Sequence, residues 1–162
     1  MKGMDPKPID RRALLGLAGT AAAAALAWRL FAHDEAAAVA ATPAPFQLSD
    51  AEWRKRRSPQ AYNVLRHAAT EFPFTSPLNS EHRKGVFVCA GCALPLFASA
   101  TKFDSGTGWP SFWDHLPRAI GERTEVHCAR CAGHLGHVFE DGPKPTGLRY
   151  CMNGVAMAFK AA

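Results

Sequence analysis

Five cysteines carry the clearest chemistry in this sequence of 162 residues, and four of them form two Cys-x-x-Cys pairs, Cys89/Cys92 and Cys128/Cys131. Two thiolates separated by two residues in a tight turn can bind the same metal ion, and two such turns supply the tetrahedral sulfur site that zinc favours. The pattern predicts one structural Zn²⁺ per chain. Iron or an Fe–S centre is the alternative metal, and disulfides or a redox dithiol are the alternatives without a metal. A closed four-thiolate site has no open coordination position, so we expect it to stabilise the fold and not to catalyse.

The fifth cysteine, Cys151, lies in a segment whose alternation is typical of a β-strand, LRYCMN at residues 148–153. Alternate side chains of a strand share one face, so Arg149, Cys151 and Asn153 share a polar face and the other three residues share an apolar one. A neighbouring guanidinium favours a thiolate over a thiol. We therefore interpret Cys151 as a reactive thiol, with a buried structural cysteine as the alternative.

Two histidines and a tryptophan could complete a site around this thiol. His134 and His137 follow directly after the second cysteine pair. Imidazole titrates near neutral pH, so either ring could supply a proton, and a structural turn or additional metal ligation is the alternative. Trp109 follows two glycines in a flexible stretch, Gly106 and Gly108. We expect it either to cover the core or to form one wall of an apolar substrate pocket.

The elements that must position these residues are short helices followed by strands, so the predicted fold class is mainly β. Ser49 and Glu52 have the spacing of a capping box, which predicts a helix to about residue 57 and a second from Pro59 to about residue 69. Residues 72–80 contain two prolines and predict an extended segment. Strands are predicted at 85–89 and 123–128, and two alternating runs within 147–159 meet at Asn153-Gly154. The side chains expected to be buried in the helices are Trp53, Tyr62, Val64 and Leu65.

The N-terminal 40 residues have the composition of a targeting segment. Arg11-Arg12 precede an alanine-rich apolar run that ends near Trp28, a pattern typical of a twin-arginine export signal. The run is short for a membrane span. We expect residues 1–40 to be the signal peptide, with cleavage near residues 38–40, and residues 41–48 to be a linker. An uncleaved membrane anchor is the alternative. The expected partner is the twin-arginine export machinery, and the expected destination is the oxidising bacterial periplasm.

The formal net charge of +5 is modest, and the densest basic run is Arg54-Lys55-Arg56-Arg57. We interpret this run as the solvated face of a helix and expect no nucleic-acid partner.

Eight short motifs occur in a fixed order between residues 70 and 153: TE at 70–71, PFT at 73–75, CAGC at 89–92, PLF at 95–97, KFDSG at 102–106, GWPSF at 108–112, HLGHVF at 134–139 and RYCMN at 149–153. Together they resemble the methionine sulfoxide reductase B family. The likeness extends from about residue 49 to residue 159, so residues 49–160 are expected to form one reductase domain.

The resemblance implies two antiparallel β-sheets with short peripheral helices and a structural zinc. It also implies reduction of the R epimer of methionine sulfoxide in oxidised proteins and peptides. Cys151 would be the nucleophile and would become a sulfenic acid, and His137 would donate a proton to the sulfoxide oxygen. The residues that would organise the site are His134, Arg149 and Asn153, with Trp109 against the methyl group of the substrate.

Two departures from the family pattern have consequences. Many members carry a resolving cysteine at the position of Thr107, and this chain has no cysteine left for that role once the zinc ligands are assigned. An external thiol, such as a thioredoxin-like protein, would then reduce the sulfenic acid. Residues 113–122 are also shorter than the usual connection, which could alter substrate reach. The alternative functions are a zinc-ribbon binding module and an inactive relative that binds sulfoxide. We expect a monomer.

Overall fold

The computed structural model describes residues 45–122 and 124–162. The predicted signal peptide, residues 1–40, and the first four residues of the predicted linker lie outside this range. Among the residues described, no helix is both long enough and apolar enough to cross a membrane.

Two short helices precede the strands, α1 (Asp50–Arg56) and α2 (Pro59–His67). The predicted capping box is present, because the Glu52 amide donates to the Ser49 hydroxyl and the Glu52 carboxylate accepts from the Ser49 amide at 2.9 Å. α2 ends two residues earlier than predicted, since Ala68 adopts a left-handed conformation with φ of 51°. The four side chains predicted to be buried in these helices are buried.

The basic residues Arg54, Lys55 and Arg56 lie in the last turn of α1 and are exposed to solvent, as predicted. Arg54 pairs with Asp50 at 2.8 Å and Arg56 with Glu52 at 3.9 Å, one helical turn apart in each case. Exposed pairs of this kind contribute little to stability. Arg57 differs, because its guanidinium donates to the Gly91 carbonyl at 3.1 Å and so ties the helices to the first cysteine pair.

The sequence predicted that residues 72–80 are extended. This prediction is wrong for Pro77–Ser80, which form a 3₁₀ helix. The Ser76 hydroxyl accepts from the Leu78 amide at 3.2 Å, and proline occupies the first turn. Both features favour the start of a helix. A turn at Pro73-Phe74, in which Phe74 has a φ of 63°, interrupts the extended backbone even before this helix.

The described residues contain nine strands, which form two antiparallel sheets as the resemblance implies. The smaller sheet has the order β2-β1-β9 and the larger sheet has the order β3-β4-β8-β7-β6-β5. The strands are β1 (Gly85–Cys89), β2 (Pro95–Ala98), β3 (Lys102–Phe103), β4 (Ser111–Phe112), β5 (Ile120–Glu122), β6 (Glu125–Cys128), β7 (His134–Phe139), β8 (Arg149–Met152) and β9 (Met157–Ala161).

Stacked aromatic rings fill the core between the two sheets. Phe97 of β2 and Phe112 of β4 stack with centroids 4.4 Å apart, and Phe87 of β1 meets Phe112 edge-on at 4.9 Å. All three side chains are fully buried. The rings therefore join the sheets through dispersion and burial of apolar area.

Candidate active site and metal centre

The four paired cysteines come together in one buried cluster. The Sγ atoms of Cys89 and Cys131 are 3.7 Å apart, those of Cys92 and Cys128 are 3.5 Å apart, and all four lie within 4.8 Å of one another. A tetrahedral ion with Zn–S bonds of about 2.3 Å requires sulfur atoms roughly 3.8 Å apart. A disulfide would bring two sulfurs to about 2.05 Å, so these thiols form no disulfides and fit a zinc ion.

The two Cys-x-x-Cys turns have the same backbone geometry. In each, an alanine follows the second cysteine in the left-handed conformation, with φ of 62° at Ala93 and 54° at Ala132. The amide of that alanine donates to the carbonyl of the first cysteine, at 2.8 Å for Ala93 and 2.9 Å for Ala132. This turn directs both thiols of a pair to one point, which explains the two-residue spacing.

The cluster of four cysteines lies where distant parts of the fold meet. Cys89 ends β1 in the smaller sheet, and Cys128 ends β6 in the larger sheet. The Trp53 ring of α1 packs so closely on Gly91 that a Cβ there would lie 2.8 Å from the ring. An ion held by these four cysteines would therefore fasten both sheets and α1 together.

A separate cleft of about 160 Å³ opens at Cys151. Cys151 is partly exposed on β8, while its neighbours Tyr150 and Met152 are buried, so the predicted polar and apolar faces are present. His137 on β7 stands directly opposite Cys151 in the sheet register. The residues that line the cleft are Thr70, Trp109, Gly136, His137, Phe139, Cys151 and Asn153.

Aromatic side chains form the walls of this cleft. The Trp109 indole nitrogen donates to the Glu71 carbonyl at 3.2 Å, which fixes the ring beside the opening. Of the two roles predicted for Trp109, the structure places it as a pocket wall. Phe139 is 43% exposed and lines the cleft, a role that the sequence analysis did not assign although the residue ends the HLGHVF motif.

Glu71 positions the far end of the cleft, a role that the sequence analysis did not assign. Its side chain is buried, and its carboxylate accepts from the amides of Gly154 and Val155. Its own amide donates to the Asn153 side-chain oxygen at 2.9 Å. The Asn153 amide group in turn donates to the Leu135 carbonyl at 3.1 Å. Asn153 thus holds the backbone around Cys151, as an organising residue would.

His134 is buried behind His137, with ring centroids 5.3 Å apart. Its Nδ1 lies 2.6 Å from a Glu125 carboxylate oxygen, and His127 contacts the same oxygen at 3.1 Å. An ionised carboxylate only accepts, so Nδ1 carries the hydrogen. Burial lowers the pKa of His134 below its usual value, although its hydrogen bond to the Glu125 carboxylate opposes this shift. A neutral His134 therefore supports the His137 ring.

Arg149 is buried and makes its main contact away from the thiol. Its guanidinium donates two hydrogen bonds to the Asp141 carboxylate, both at 2.8 Å, and lies 4.4 Å above the Phe139 ring. These hydrogen bonds lower the pKa of Asp141. They also raise the pKa of Arg149, and the nearby Cys151 adds to that rise. The predicted closeness of Arg149 to Cys151 is present, but Asp141 is the partner that sequence reasoning missed.

Thr107 stands beside the thiol, with its hydroxyl oxygen 3.8 Å from the Cys151 Sγ. A side chain at this position can therefore contact the reacting sulfur directly. The segment 113–122, predicted as a shortened loop, contains β5 and contributes none of the residues that line the cleft.

The fold and the site together define a two-sheet β protein with a buried cluster of four cysteines that could hold a metal ion, and with a separate, partly exposed cysteine opposite a histidine. The SelR domain family matches residues 57–161. The chain belongs to this family, which confirms the resemblance to the methionine sulfoxide reductases B.

Curated relatives agree over most of their length. A peptide methionine sulfoxide reductase MsrB of Agrobacterium fabrum is 52% identical over 122 residues, which cover 69% of this chain and 90% of the relative. Enzymes of the same name from Bradyrhizobium diazoefficiens and Methanosarcina barkeri are 53% identical over 119 residues and 50% identical over 122 residues. These alignments cover 67% and 69% of this chain, and 86% of each relative.

Proposed function

We propose that this protein is a peptide-methionine (R)-S-oxide reductase that repairs oxidised methionine in proteins and peptides. The observation that carries the proposal is the cleft in which Cys151 faces His137 between the aromatic walls of Trp109 and Phe139. A thiol, a proton donor and an apolar wall are the groups that a methyl sulfoxide requires. The names of the family relatives support the same activity.

In the proposed reaction the Cys151 thiolate attacks the sulfur of the sulfoxide while His137 donates a proton to the oxygen. This attack forms a bond between the two sulfur atoms. The hydroxyl group then transfers to the Cys151 sulfur as that S–S bond and the substrate S–O bond break, which leaves Cys151 as a sulfenic acid. The substrate sulfur gains two electrons and becomes methionine, and the cysteine sulfur loses two. Trp109 and Phe139 hold the methyl group and so select the epimer whose oxygen faces His137.

The decisive experiment is turnover of a peptide that carries methionine-(R)-sulfoxide, with dithiothreitol as reductant. We expect turnover by the wild type, none by Cys151→Ser, and a rate about 10²–10⁴-fold lower for His137→Gln, the usual contribution of a positioned acid. The S epimer is the matched control and should remain unreduced. Binding without turnover by the wild type would defeat the proposal and leave an inactive relative.

The reductant is proposed to be an external thiol. Thr107 occupies the position next to Cys151, and it has no thiol with which to resolve a sulfenic acid. A first external thiol would displace water from the sulfenic acid and form a mixed disulfide, and a second would release Cys151. After one equivalent of substrate without reductant, dimedone should label Cys151. An internal disulfide found by mass spectrometry would contradict this step.

Zinc is proposed as the metal held by the four thiolates, where it supplies structural cross-linking and takes no part in the reaction. Elemental analysis of the purified protein should give one zinc per chain. Light scattering should give the mass of a monomer.

Export by the twin-arginine route to the periplasm is proposed from Arg11-Arg12 and the apolar run that follows. The variant Arg11→Lys, Arg12→Lys should remain in the cytoplasm of a bacterial host, whereas the wild type should be recovered from the periplasm or, if the segment stays uncleaved, from the membrane. Unchanged export of the double variant would exclude this route.

A further inference from the structure

Three hydroxyl groups form a chain behind the reactive thiol. The Thr107 oxygen lies 3.8 Å from the Cys151 sulfur and 2.8 Å from the Ser105 oxygen. The Ser105 oxygen is 2.7 Å from the Ser111 oxygen, which is 3.1 Å from the Trp109 carbonyl oxygen. Ser111 is fully buried and stands opposite Cys151 in the pairing of β4 with β8. The chain therefore runs from the reacting sulfur into the core.

Counting hydrogens fixes the direction of this chain when Cys151 is a neutral thiol. Each hydroxyl has one hydrogen to donate, and a carbonyl oxygen can only accept. If Ser111 donates to the Trp109 carbonyl, then Ser105 must donate to Ser111 and Thr107 must donate to Ser105. Thr107 is then left as the acceptor for the S–H group, and every bond in the chain is made.

Ionisation of the Cys151 thiol removes the hydrogen bond from its S–H group to Thr107, because a thiolate can only accept hydrogen bonds. The Thr107 hydrogen must then turn from Ser105 towards the sulfur. Ser105 can follow by donating to Thr107, and Ser111 by donating to Ser105, at the cost of the bond to the Trp109 carbonyl. Only hydroxyl rotations are needed, and the thiol proton itself leaves to water in the open cleft.

We propose that Thr107, Ser105 and Ser111 form a hydrogen-bond relay that accepts from the Cys151 thiol and reverses to donate to the Cys151 thiolate. The relay makes Thr107 a catalytic residue, because its hydroxyl contacts the reacting sulfur. Its importance for turnover rests on the proposed reductase function, but its effect on the thiol does not. The position that could have supplied a resolving thiol supplies a donor to the nucleophile instead.

The relay predicts opposite effects for its first and second members. Thr107→Val removes a weak bond from the thiol and a charge-assisted bond from the thiolate, and a bond to an ion is roughly twice as strong as a neutral one. The thiolate therefore loses more. Ser105→Ala removes the competitor for the Thr107 hydrogen, so the hydroxyl can donate to the thiolate without giving up another bond. The turn itself should survive, because Asp104 still accepts from the Gly106 amide at 2.9 Å.

The charged groups around Cys151 are the same in all of these variants. His137 faces it from β7, with His134 behind, and Arg149 lies on its own strand, paired with Asp141. None of them contacts the Ser105 or Thr107 side chain through a hydrogen bond among the residues described. A shift between variants therefore reports on the relay.

The test is alkylation of Cys151 by iodoacetamide as a function of pH, followed by mass spectrometry of the Cys151 peptide in zinc-loaded protein. For Thr107→Val we expect the profile to move to higher pH and the rate at neutral pH to fall about five- to tenfold, the size expected when a charge-assisted bond is exchanged for none. Thr107→Ser keeps the hydroxyl and should follow the wild type. Ser105→Ala should move the profile to lower pH.

Two results would overturn the relay. One is an alkylation profile of Thr107→Val that matches the profile of Thr107→Ser. The other is an alkylation profile of Ser105→Ala that equals that of the wild type or lies at higher pH. Thr107→Ala replaces the valine variant if the latter does not bind zinc and fold. Alkylation needs no sulfoxide, so a failure of the relay can be told apart from a failure of the reductase proposal, which the peptide assay measures.

Discussion

His134 shows at the scale of a single residue how burial sets a charge. The imidazole is 2% exposed, and burial lowers its pKa below the usual value of 6.5 despite the Glu125 carboxylate at 2.6 Å. The ring is therefore neutral at neutral pH, and its Nε2 is buried without a hydrogen-bond partner among the residues described. A neutral His134 ring therefore adds no positive charge beside His137, the proposed proton donor.

The lowered pKa of His134 predicts how stability depends on pH. The unfolded chain binds a proton at this histidine near pH 6.5, and the folded chain binds it only at lower pH, so stability falls as pH drops through 6.5. The loss is complete once the pH lies below the folded pKa. Urea unfolding at pH 7.5 and 5.5 should show a smaller difference for His134→Gln than for the wild type. An equal difference in the two proteins would contradict this origin.

Arg149 shows what the sequence could and could not predict at this scale. The alternation of residues 148–153 correctly placed the guanidinium and the thiol on one face, because side-chain alternation is a local property of a strand. The pairing of Arg149 with Asp141 depends on the register of β7 with β8, in which Phe139 stands opposite Arg149. Register is set by contacts between strands, so no local pattern revealed it.

Glu71 acts at the scale of elements. It lies before the 3₁₀ helix Pro77–Ser80 and connects that segment to the residues that follow β8. Its carboxylate accepts from two amides at the start of the short helix Gly154–Ala156, Gly154 and Val155. A carboxylate at this place satisfies amides that have no partner within the helix. The same residue supports Trp109 and Asn153 through its backbone.

Replacing this carboxylate should destabilise the protein measurably. In Glu71→Gln one amide of the loop keeps an acceptor while the other faces an NH₂ group, and an unsatisfied buried donor costs about 1–3 kcal/mol. We expect the free energy of unfolding, measured in urea, to fall by that amount. The exposed Glu140 provides the matched control, and Glu140→Gln should change it by less than about 0.5 kcal/mol. Equal effects of the two substitutions would rule out the proposed role of Glu71.

The elements differ in how far the sequence predicts them. Capping residues and alternation are local signals, and they predicted both helices and the strands β1, β6, β8 and β9. The strands β3 and β4 contain two residues each and exist only through pairing with neighbours distant in sequence. β5 lies in the segment taken for a loop, and β6 begins two residues later than predicted. Such short strands have too few residues to show a period, which is why they were missed.

At the scale of the whole molecule, the cluster of four cysteines lies where a bound ion would link the two sheets. The small sheet contributes Cys89 and Cys92 around β1 and β2, and the large sheet contributes Cys128 and Cys131 around β6 and β7. Helix α2 also joins this link, as the Arg66 guanidinium donates to the Cys131 carbonyl at 3.4 Å. The sequence predicted the gathering of these four cysteines, because each Cys-x-x-Cys pair is a local pattern with a specific chemistry.

Loss of the proposed zinc ion should therefore lower the stability of the whole domain, and not only that of the residues around the four cysteines. Structural zinc contributes about 10–16 kcal/mol of binding free energy in small zinc-dependent peptides, comparable to the total stability of a domain. Losing even about 3 kcal/mol would lower the Tm by roughly 10 °C in a domain of this size. We expect at least that decrease after chelation and in Cys92→Ser, measured by circular dichroism. Cys151→Ser is the matched control, since it removes a thiol outside the centre and should keep both the zinc and the Tm. A metal-free protein with the same Tm as the wild type would show that the aromatic core alone holds the two sheets together.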